Sequence, residues 1–534
     1  MKINTTSIPY KETGFFSKIV IDYLEQAEQL QPFYNYPVSL KGINQSITAR
    51  KAFTTNRELL VTELTKQYNG ISLNDKQQNH LQSLLSDNTF TITTAHQPNI
   101  FTGPLYFIYK IMHAIKLANE LSEQLPDYKF VPMYYMGSED ADLEELGFIN
   151  VDGQKLVWQT NQTGAVGRMK VDKALIKLID AIYGQIGVDK HGKELTDLFR
   201  LCYSEGKTIQ RASLELINAL FAEFGLLILI PDNKNLKKSF ESVIKKEIEE
   251  QFSNKAVQQT INELNKHYKA QASGRALNLF YLQNNNRERI ELEDEIFKVN
   301  NTSNQFNYNE IQQDIENNPD RFSANVILRG VFQETILPNI AFIGGGGELA
   351  YWLELKNVFK AVQVPYPLLI LRNSFLIVNH YYKQIINSLK IDYTSLFKNE
   401  FDLMTDWTKD NSENQLSIKN ELENMAVIYQ QIKKKAENID ATLINHVIAL
   451  ETIALKKLGE LEKKILRAEK RKFKKQELRI KKIKQKLFPD NSLQERVDNF
   501  STYYAKEGKG FLQTIYDAST GLNQEFIVVE QVAE

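Results

Sequence analysis

The chain reads as an α/β protein, a doubly wound parallel sheet extended by a long helical coiled-coil arm, and three observations carry that expectation. Six short β-rich runs are each followed by a helical segment: Phe90–Ala95, Phe130–Met136, Leu226–Ile230, Asn325–Leu328, Ile340–Ile343 and Leu368–Leu371. Alternation of strand and helix argues for parallel pairing. Several of these runs are continuously apolar, as expected of strands covered on both faces. Finally, Ser417–Leu487 contains no proline and only one glycine, Gly459.

Composition bounds the rest. A chain of 534 residues exceeds what one hydrophobic core holds, so several domains are expected. With 65 Lys+Arg against 66 Asp+Glu, the net charge of −1 names no partner. The single cysteine, Cys202, excludes an intramolecular disulfide framework and a Cys-x-x-Cys zinc site. Its setting, LFRLCYSEG, suits a buried structural thiol better than a nucleophile. The N-terminal MKINTTSIPYKET has no apolar signal core. The longest aliphatic run, Leu226–Ile230, falls far short of the ~20 residues a membrane span needs. A soluble, cytoplasmic protein without membrane contact is expected.

The first 88 or so residues are polar and mostly helical in pattern, punctuated by Pro32 and Pro37. Thr91–Leu121 then reads as a β-branched run, a polar loop and an apolar-periodic helix. His96 and Gln97 stand at the junction, followed by Thr102-Gly103-Pro104. Thr is a good N-cap and Pro suits a first helical turn, so the helix is predicted to start near Pro104. A strand feeding a helix N-terminus in this way sets free N–H groups beside a bound anion, though an ordinary connection has the same local signature. In MYYMGSEDADLEEL, Glu139, Asp140 and Asp142 follow Gly137-Ser138 at a predicted strand end. Carboxylates there could hold an ammonium group, act as general base or bind Mg²⁺ through water. They could equally be first-turn acids behind a Ser138 cap. Two excursions from the core are expected, at about residues 151–195 and 266–319.

The second informative stretch is Asn325–Phe359. Gly344, Gly345, Gly346 and Gly347, between a strand and a helix, permit close backbone approach and positive φ, as an anion cradle needs. They do not match the P-loop pattern, the helix opens with Glu348, and a plain flexible turn is the competing reading. Arg329, Gln333 and Glu334 precede the turn, and Arg372 follows the next predicted strand. Arginines suit bidentate carboxylate recognition. No GxSxG or triad arrangement is present, so an enzyme built here would work by positioning and charge stabilisation.

After about Tyr382 the character changes. Leu443, Val447, Leu450, Ala454, Leu458, Leu461, Ile465 and Ala468 recur in steps of four and three. Such a seam cannot bury itself, so it should fold as a helical hairpin or pair with another subunit. Lys463–Lys486 holds 13 basic and two acidic residues. With only Phe473 as an interleaved aromatic, a solvated face is the simpler reading and nucleic acid is not expected as a partner. Pro489 ends the arm, and LFPDNSLQERVDNF returns the chain to the core, bringing Arg496 as a further anion contact. The expected domains are a core over residues 1–382, an arm over 383–488 and a return over 489–534.

With these residues assembled, the sequence resembles the BshC family, the cysteine-adding enzymes of bacillithiol biosynthesis. The matching stretches are HQPNIFTGPLYFIYKI (His96–Ile111), GSEDADLEEL (Gly137–Leu146), VGRM (Val166–Met169), EFGLLILIPDN (Glu223–Asn233), Asn325–Lys356 and Leu487–Phe500. The resemblance implies a Rossmann-like core with connecting-peptide insertions and a coiled coil that makes a homodimer. It implies a ligase condensing L-cysteine with glucosaminyl-malate, with ATP as activator, accompanied by Mg²⁺. On that reading His96, Gln97, Thr102 and the Gly103-Pro104 helix start contact the nucleotide. Glu139, Asp140 and Asp142 hold an ammonium group or deprotonate the attacking amine, and Arg329 or Arg372 grips the malyl carboxylates. Gln333, the glycines, Glu348 and Arg496 complete the binding set. The family pattern that the resemblance implies has a histidine in the acidic motif of many members where this chain has Ala141, and the Cys/His set of a zinc site is lacking. Two other readings stay open: a coiled-coil scaffold with a degenerate nucleotide fold, and a nucleotidyltransferase with another acceptor.

Overall fold

The computed structural model describes residues 3–272 and 274–531. Contacts divide the chain into two compact units. One comprises Phe15–Ile377 with the terminal segments up to Lys11 and from Leu493; the other is essentially Val378–Ser492.

The strands, in chain order, are β1 (Ile3–Ile8), β2 (Thr89–His96), β3 (Lys129–Met136), β4 (Phe148–Val151), β5 (Gln154–Val157) and β6 (Leu227–Leu229). They continue with β7 (Leu279–Gln283), β8 (Asn286–Glu293), β9 (Ile296–Val299), β10 (Gln305–Phe306) and β11 (Phe322–Ala324). Last come β12 (Asn339–Gly344), β13 (Leu368–Leu371), β14 (Ser374–Val378) and β15 (Phe526–Gln531). The central sheet has the order β13-β12-β2-β3-β6, every pair parallel. Within this sheet, the third, second, first, fourth and fifth strands of the chain lie side by side, which is Rossmann order. Its switch point falls between β2 and β12, where such sheets open a crevice beyond the strand C-termini.

Burial explains the pattern. Phe90 and Ile92 of β2 pack with Ile340, Ala341 and Ile343 of β12 and with Leu368 and Ile370 of β13. Helix Tyr106–Gln124 lays Ala114, Leu117, Ala118 and Leu121 on the same cluster, and helix Leu40–Lys51 adds Ile43 and Ile47. Each large apolar side chain so buried stabilises by about 1.5–3 kcal/mol. Two threonines of β2 bond across the sheet: Thr94 Oγ1 donates to Ile343 O at 2.8 Å, and Thr91 Oγ1 to Asn339 Oδ1 at 3.2 Å.

Five of the six predicted strands are present. Asn325–Leu328 is not one: Asn325 caps helix Val326–Ile336, its side chain accepting from Ile327 N at 2.9 Å. A four-residue apolar run has no period of its own, and here the cap and the following RGVFQETI continue it as a helix. The N-terminal region hides a strand as well, because β1 pairs antiparallel with β15 at the far end of the chain. The excursion near residues 266–319 supplies most of a second, antiparallel sheet, β10-β9-β8-β7-β11. The one near 151–195 holds hairpin strand β5 and helices Lys173–Ile186 and Gly192–Cys202. Cys202 is buried, and burial first, then the Glu215 charge, pushes its thiol up to about 12. It is chemically inert at neutral pH.

In the second unit, helices Lys419–Ile439 and Leu443–Lys470 form a hairpin. Asp440 turns the chain, its Oδ1 accepting from Thr442 N at 2.8 Å. Within one chain the predicted seam is largely uncovered: Val447 is buried, but Leu443, Leu450 and Leu461 are 41–47% exposed. Among the described residues no helix is long and apolar enough to cross a membrane.

Candidate functional site

A cleft of about 700 Å³ opens beyond the C-terminal ends of the central strands. Register places the loops that form it together, since His96 lies beside Met136 and Gly344 beside Leu371. His96 ends β2 and Gln97 follows it, Gly137 and Asp140 follow β3, Gly345–Glu348 follow β12, and Arg372 follows β13. Arg329 and Arg496 also line the cleft. The wall carries seven cationic side chains, Lys110 and six arginines, against three carboxylates, Asp140, Glu145 and Glu348. Its surplus positive charge suits anionic ligands.

Asp140 is the most heavily held group. Arg329 grips it with two bonds, Nη1 to Oδ2 at 3.0 Å and Nη2 to Oδ1 at 2.9 Å. Arg287 approaches Oδ1 at 3.5 Å, and the Gln97 side chain bonds the same carboxylate. Burial pushes this carboxyl up, but Arg329, Arg287 and Gln97 together outweigh it and hold it well below the usual carboxylate range. Asp140 is therefore an anchor for Arg329 and Arg287, not a free base.

His96 is half-buried, its Nε2 lying 3.4 Å from the Tyr106 hydroxyl. Burial first, then the Lys110 and Arg372 charges, holds its pKa well below the ordinary histidine value, against the opposing pull of Asp140. At neutral pH it is an uncharged imidazole facing a cationic cleft. Lys110 reaches the strand ends from the next helix: its Nζ donates to Ala95 O at 2.9 Å and pairs with Glu348. Glu348 also accepts from Gly345 N at 2.8 Å, closing the first turn of helix Gly346–Trp352. The acid at the head of that helix is thus neutralised by Lys110. Gly344–Gly347 take no positive φ, contrary to the expectation. Space is the reason at Gly344, where a Cβ would lie 2.8 Å from the Phe342 ring, and in part at Gly346, where it would press on Val20 at 3.3 Å; a Cβ on Gly345 would meet only ordinary contacts and one on Gly347 open space.

Six expected site residues do not line the cleft. Glu139 is turned beneath the loop, where Ser323 Oγ donates to it at 2.9 Å and Lys237 pairs with it. Asp142 caps helix Leu143–Leu146, accepting from Glu145 N at 3.1 Å. Gln333 is buried, donating to Glu334, which in turn pairs with Arg50. Gly344 belongs to β12 itself. Thr102 is buried with its hydroxyl unpartnered, and helix Tyr106–Gln124 starts beyond it, with Leu105 as cap. Thr102 cannot cap because its φ is +71°, between Phe101 at +48° and Gly103 at +64°. Positive φ at a β-branched residue is strained, and the return segment pins it. Asn499 Nδ2 donates to Phe101 O at 3.0 Å and to Gly103 O at 2.5 Å, and Asp498 O accepts from Leu105 N at 2.7 Å.

Arg372 lines the cleft with its fork already filled by Glu495 at 2.7 Å and Ser374 Oγ at 3.0 Å. The two remaining sequence motifs meet below the acidic loop. Arg168 of VGRM grips Asp232 of LILIPDN through two bonds of 2.6 Å. Gly167 N donates to Ser138 O at 2.9 Å, and a Cβ at Gly167 would lie 2.4 Å from that oxygen. Sequence reasoning missed Lys110, Arg275, Arg287 and Arg289. The lone lysine of FIYKIMHA and the alternating arginines of NRERIELE were the available signals.

Fold and cleft define a Rossmann-like α/β enzyme with a helical coiled-coil domain. Two family descriptions match the chain: "Bacillithiol biosynthesis BshC, N-terminal Rossmann-like domain" over residues 1–373 and "C-terminal coiled-coil domain" over 375–531. Relatives named "Putative cysteine ligase BshC" are similar over nearly the whole length. Those of Flavobacterium johnsoniae and Flavobacterium psychrophilum are each 38% identical, covering 98% of this chain and 99% of theirs. That of Christiangramia forsetii is 35% identical, with the same coverage. The chain belongs to the BshC family of bacillithiol biosynthesis, and it is a ligase.

Proposed function

We propose that this enzyme joins the carboxyl group of L-cysteine to the amine of glucosaminyl-malate, with ATP as activator. The observation that supports the reading best is the convergence of four strand ends on one cationic cleft at the sheet's switch point. That is where Rossmann-like sheets take anionic ligands. ATP, when bound, would turn an oxygen of cysteine's carboxylate, otherwise a poor electrophile, into a leaving group. Lys110 and the Gly345–Gly347 turn would receive its phosphates, with Gln97 and Arg372 beside them. Mg²⁺ would arrive with the nucleotide, since it commonly needs only one or two protein carboxylates; among the described residues no group of three or more metal-ligating side chains is placed to hold an ion.

The new bond joins the amine nitrogen to the carboxyl carbon, and the amine must lose a proton. His96, uncharged and at the cleft floor, is our candidate to accept it. Asp140 and Arg329 act through each other to shape the wall. The exposed seam of the arm supports a homodimer, and we place the reaction in the cytoplasm.

Incubating the purified protein with L-cysteine and glucosaminyl-malate, with and without ATP, and weighing the products tests the reading. The amide should form only with ATP, and His96→Ala should lower the rate at least tenfold, about 1.4 kcal/mol. Amide without ATP would remove the activator from the scheme. Nucleotidyl transfer to another acceptor, with no amide, would favour a nucleotidyltransferase.

A further inference from the structure

The six cleft arginines fall into two groups. Arg287, Arg329 and Arg372 are already committed. Arg329 is filled by Asp140 and Arg372 by Glu495, while Arg287 donates to Ser323 Oγ at 2.9 Å and Ala324 O at 3.0 Å. Arg275, Arg289 and Arg496 line the same cleft, and their guanidinium groups have no acceptor among the described residues.

Their backbones are nevertheless fixed. Arg275 N donates to Asn278 Oδ1 at 3.1 Å and its carbonyl accepts from Asn278 Nδ2 at 3.1 Å, with Asn278 fully buried. The residues just before it hang on a second buried group, Glu354, which accepts from Gln271 N at 2.6 Å and Ala272 N at 3.0 Å. Arg289 sits in β8 two residues from Arg287, hence on the same face, opposite Phe280 in the ladder. Arg496 directly follows the fully buried Glu495. A guanidinium stays charged at any working pH and matches a carboxylate with two parallel bonds. Three of them, exposed in the cleft wall on fixed backbone and unpaired among the described residues, are poised for an anion from outside.

Resting on the ligase reading, we infer that Arg275 and Arg289 of the insertion, with Arg496 of the return segment, bind the two carboxylates of the acceptor's malyl end. On the ligase reading the phosphates go to the switch point, where Lys110 would exchange its Glu348 partner for them, and the insertion wall is left for the second anion. The acceptor amine would then point toward His96.

Calorimetric titration of glucosaminyl-malate and of ATP into the full-length enzyme tests this without requiring turnover. Arg275→Ala and Arg289→Ala should each raise the glucosaminyl-malate Kd about tenfold or more, or 1.4 kcal/mol, and leave the ATP Kd within about twofold. Arg289→Lys should recover part of the loss, and circular dichroism would confirm that the variants fold. Unchanged glucosaminyl-malate binding in both variants, or no binding by the unmodified enzyme, would overturn the inference. So would a tenfold loss confined to ATP, which would make these arginines a phosphate site. If the unmodified enzyme forms the amide while both variants bind the acceptor normally, only the subsite falls. If the arginines prove necessary for acceptor binding but no amide ever forms, only the ligase reading falls.

Discussion

At the scale of single residues, the site is organised by what each charge is already paired with. Asp140 looks in the sequence like a candidate base, yet two arginines occupy its oxygens. Asp140→Asn should therefore lower stability by about 3 kcal/mol, because it leaves those arginines uncompensated in a partly buried wall. A urea midpoint unchanged from that of the unmodified protein would show the pair to be energetically idle. Glu354 makes a pH-dependent case. Burial pushes its carboxyl up to about 6, against two backbone N–H bonds that pull it down. Because the folded pKa lies above the unfolded one, near 4.5, its contribution to stability is full below pH 4.5 and is lost as pH rises through about 6. Relative to Glu354→Gln, the unmodified protein should gain stability between pH 7 and pH 4.5. A difference in urea midpoint that stays flat over that range would contradict this.

Among elements, the loop before helix Tyr106–Gln124 shows strain imposed by distant chain. Three consecutive residues with positive φ, two of them not glycine, persist because Asn499 and Asp498 hold the surrounding backbone. Asn499→Ala would leave the Phe101 and Gly103 carbonyls buried and unpaired, at about 1–3 kcal/mol each. Faster amide hydrogen exchange through Ile100–Leu105 and a lower melting temperature are expected. Exchange as slow as in the unmodified protein would show that the loop supports itself. The glycine turn is the counterpart: it uses no left-handed backbone, and a neighbour crowds the Cβ position at Gly344 while that of Gly347 is open.

For the whole molecule, the arm presents an apolar face that its own chain leaves exposed. Leu450, Ile453 and Leu461 on one helix of the hairpin and Val427, Ile428 and Ile432 on the other are 43–57% exposed. Apolar exposure of this extent along a hairpin marks an interaction surface. Pairing of two chains through it predicts a dimer in analytical ultracentrifugation at micromolar concentration. Leu450→Glu with Leu461→Glu should shift it to monomer while helical circular dichroism is retained. An unmodified chain that sediments as a monomer would refute the dimer.

Local pattern by itself determined the parallel sheet, the helical arm, the inert thiol and the loops that carry His96, Gln97, Asp140 and Gly345–Glu348 to one end of the strands. These follow from periodicity and from where polar residues interrupt apolar runs, which are properties of neighbouring residues. The matched motifs made the family legible as well. Only the tertiary structure decided which of two adjacent acids faces the cleft: Asp140 does, whereas Glu139 turns toward Lys237 and Ser323. It decided that NVIL is helix, that β1 finds β15 some five hundred residues away, and that Thr102 is strained and buried instead of capping. It also separated the committed arginines from those left for a ligand. Each of these outcomes depends on a partner remote in sequence, and pairing across such distances leaves no mark in local spacing.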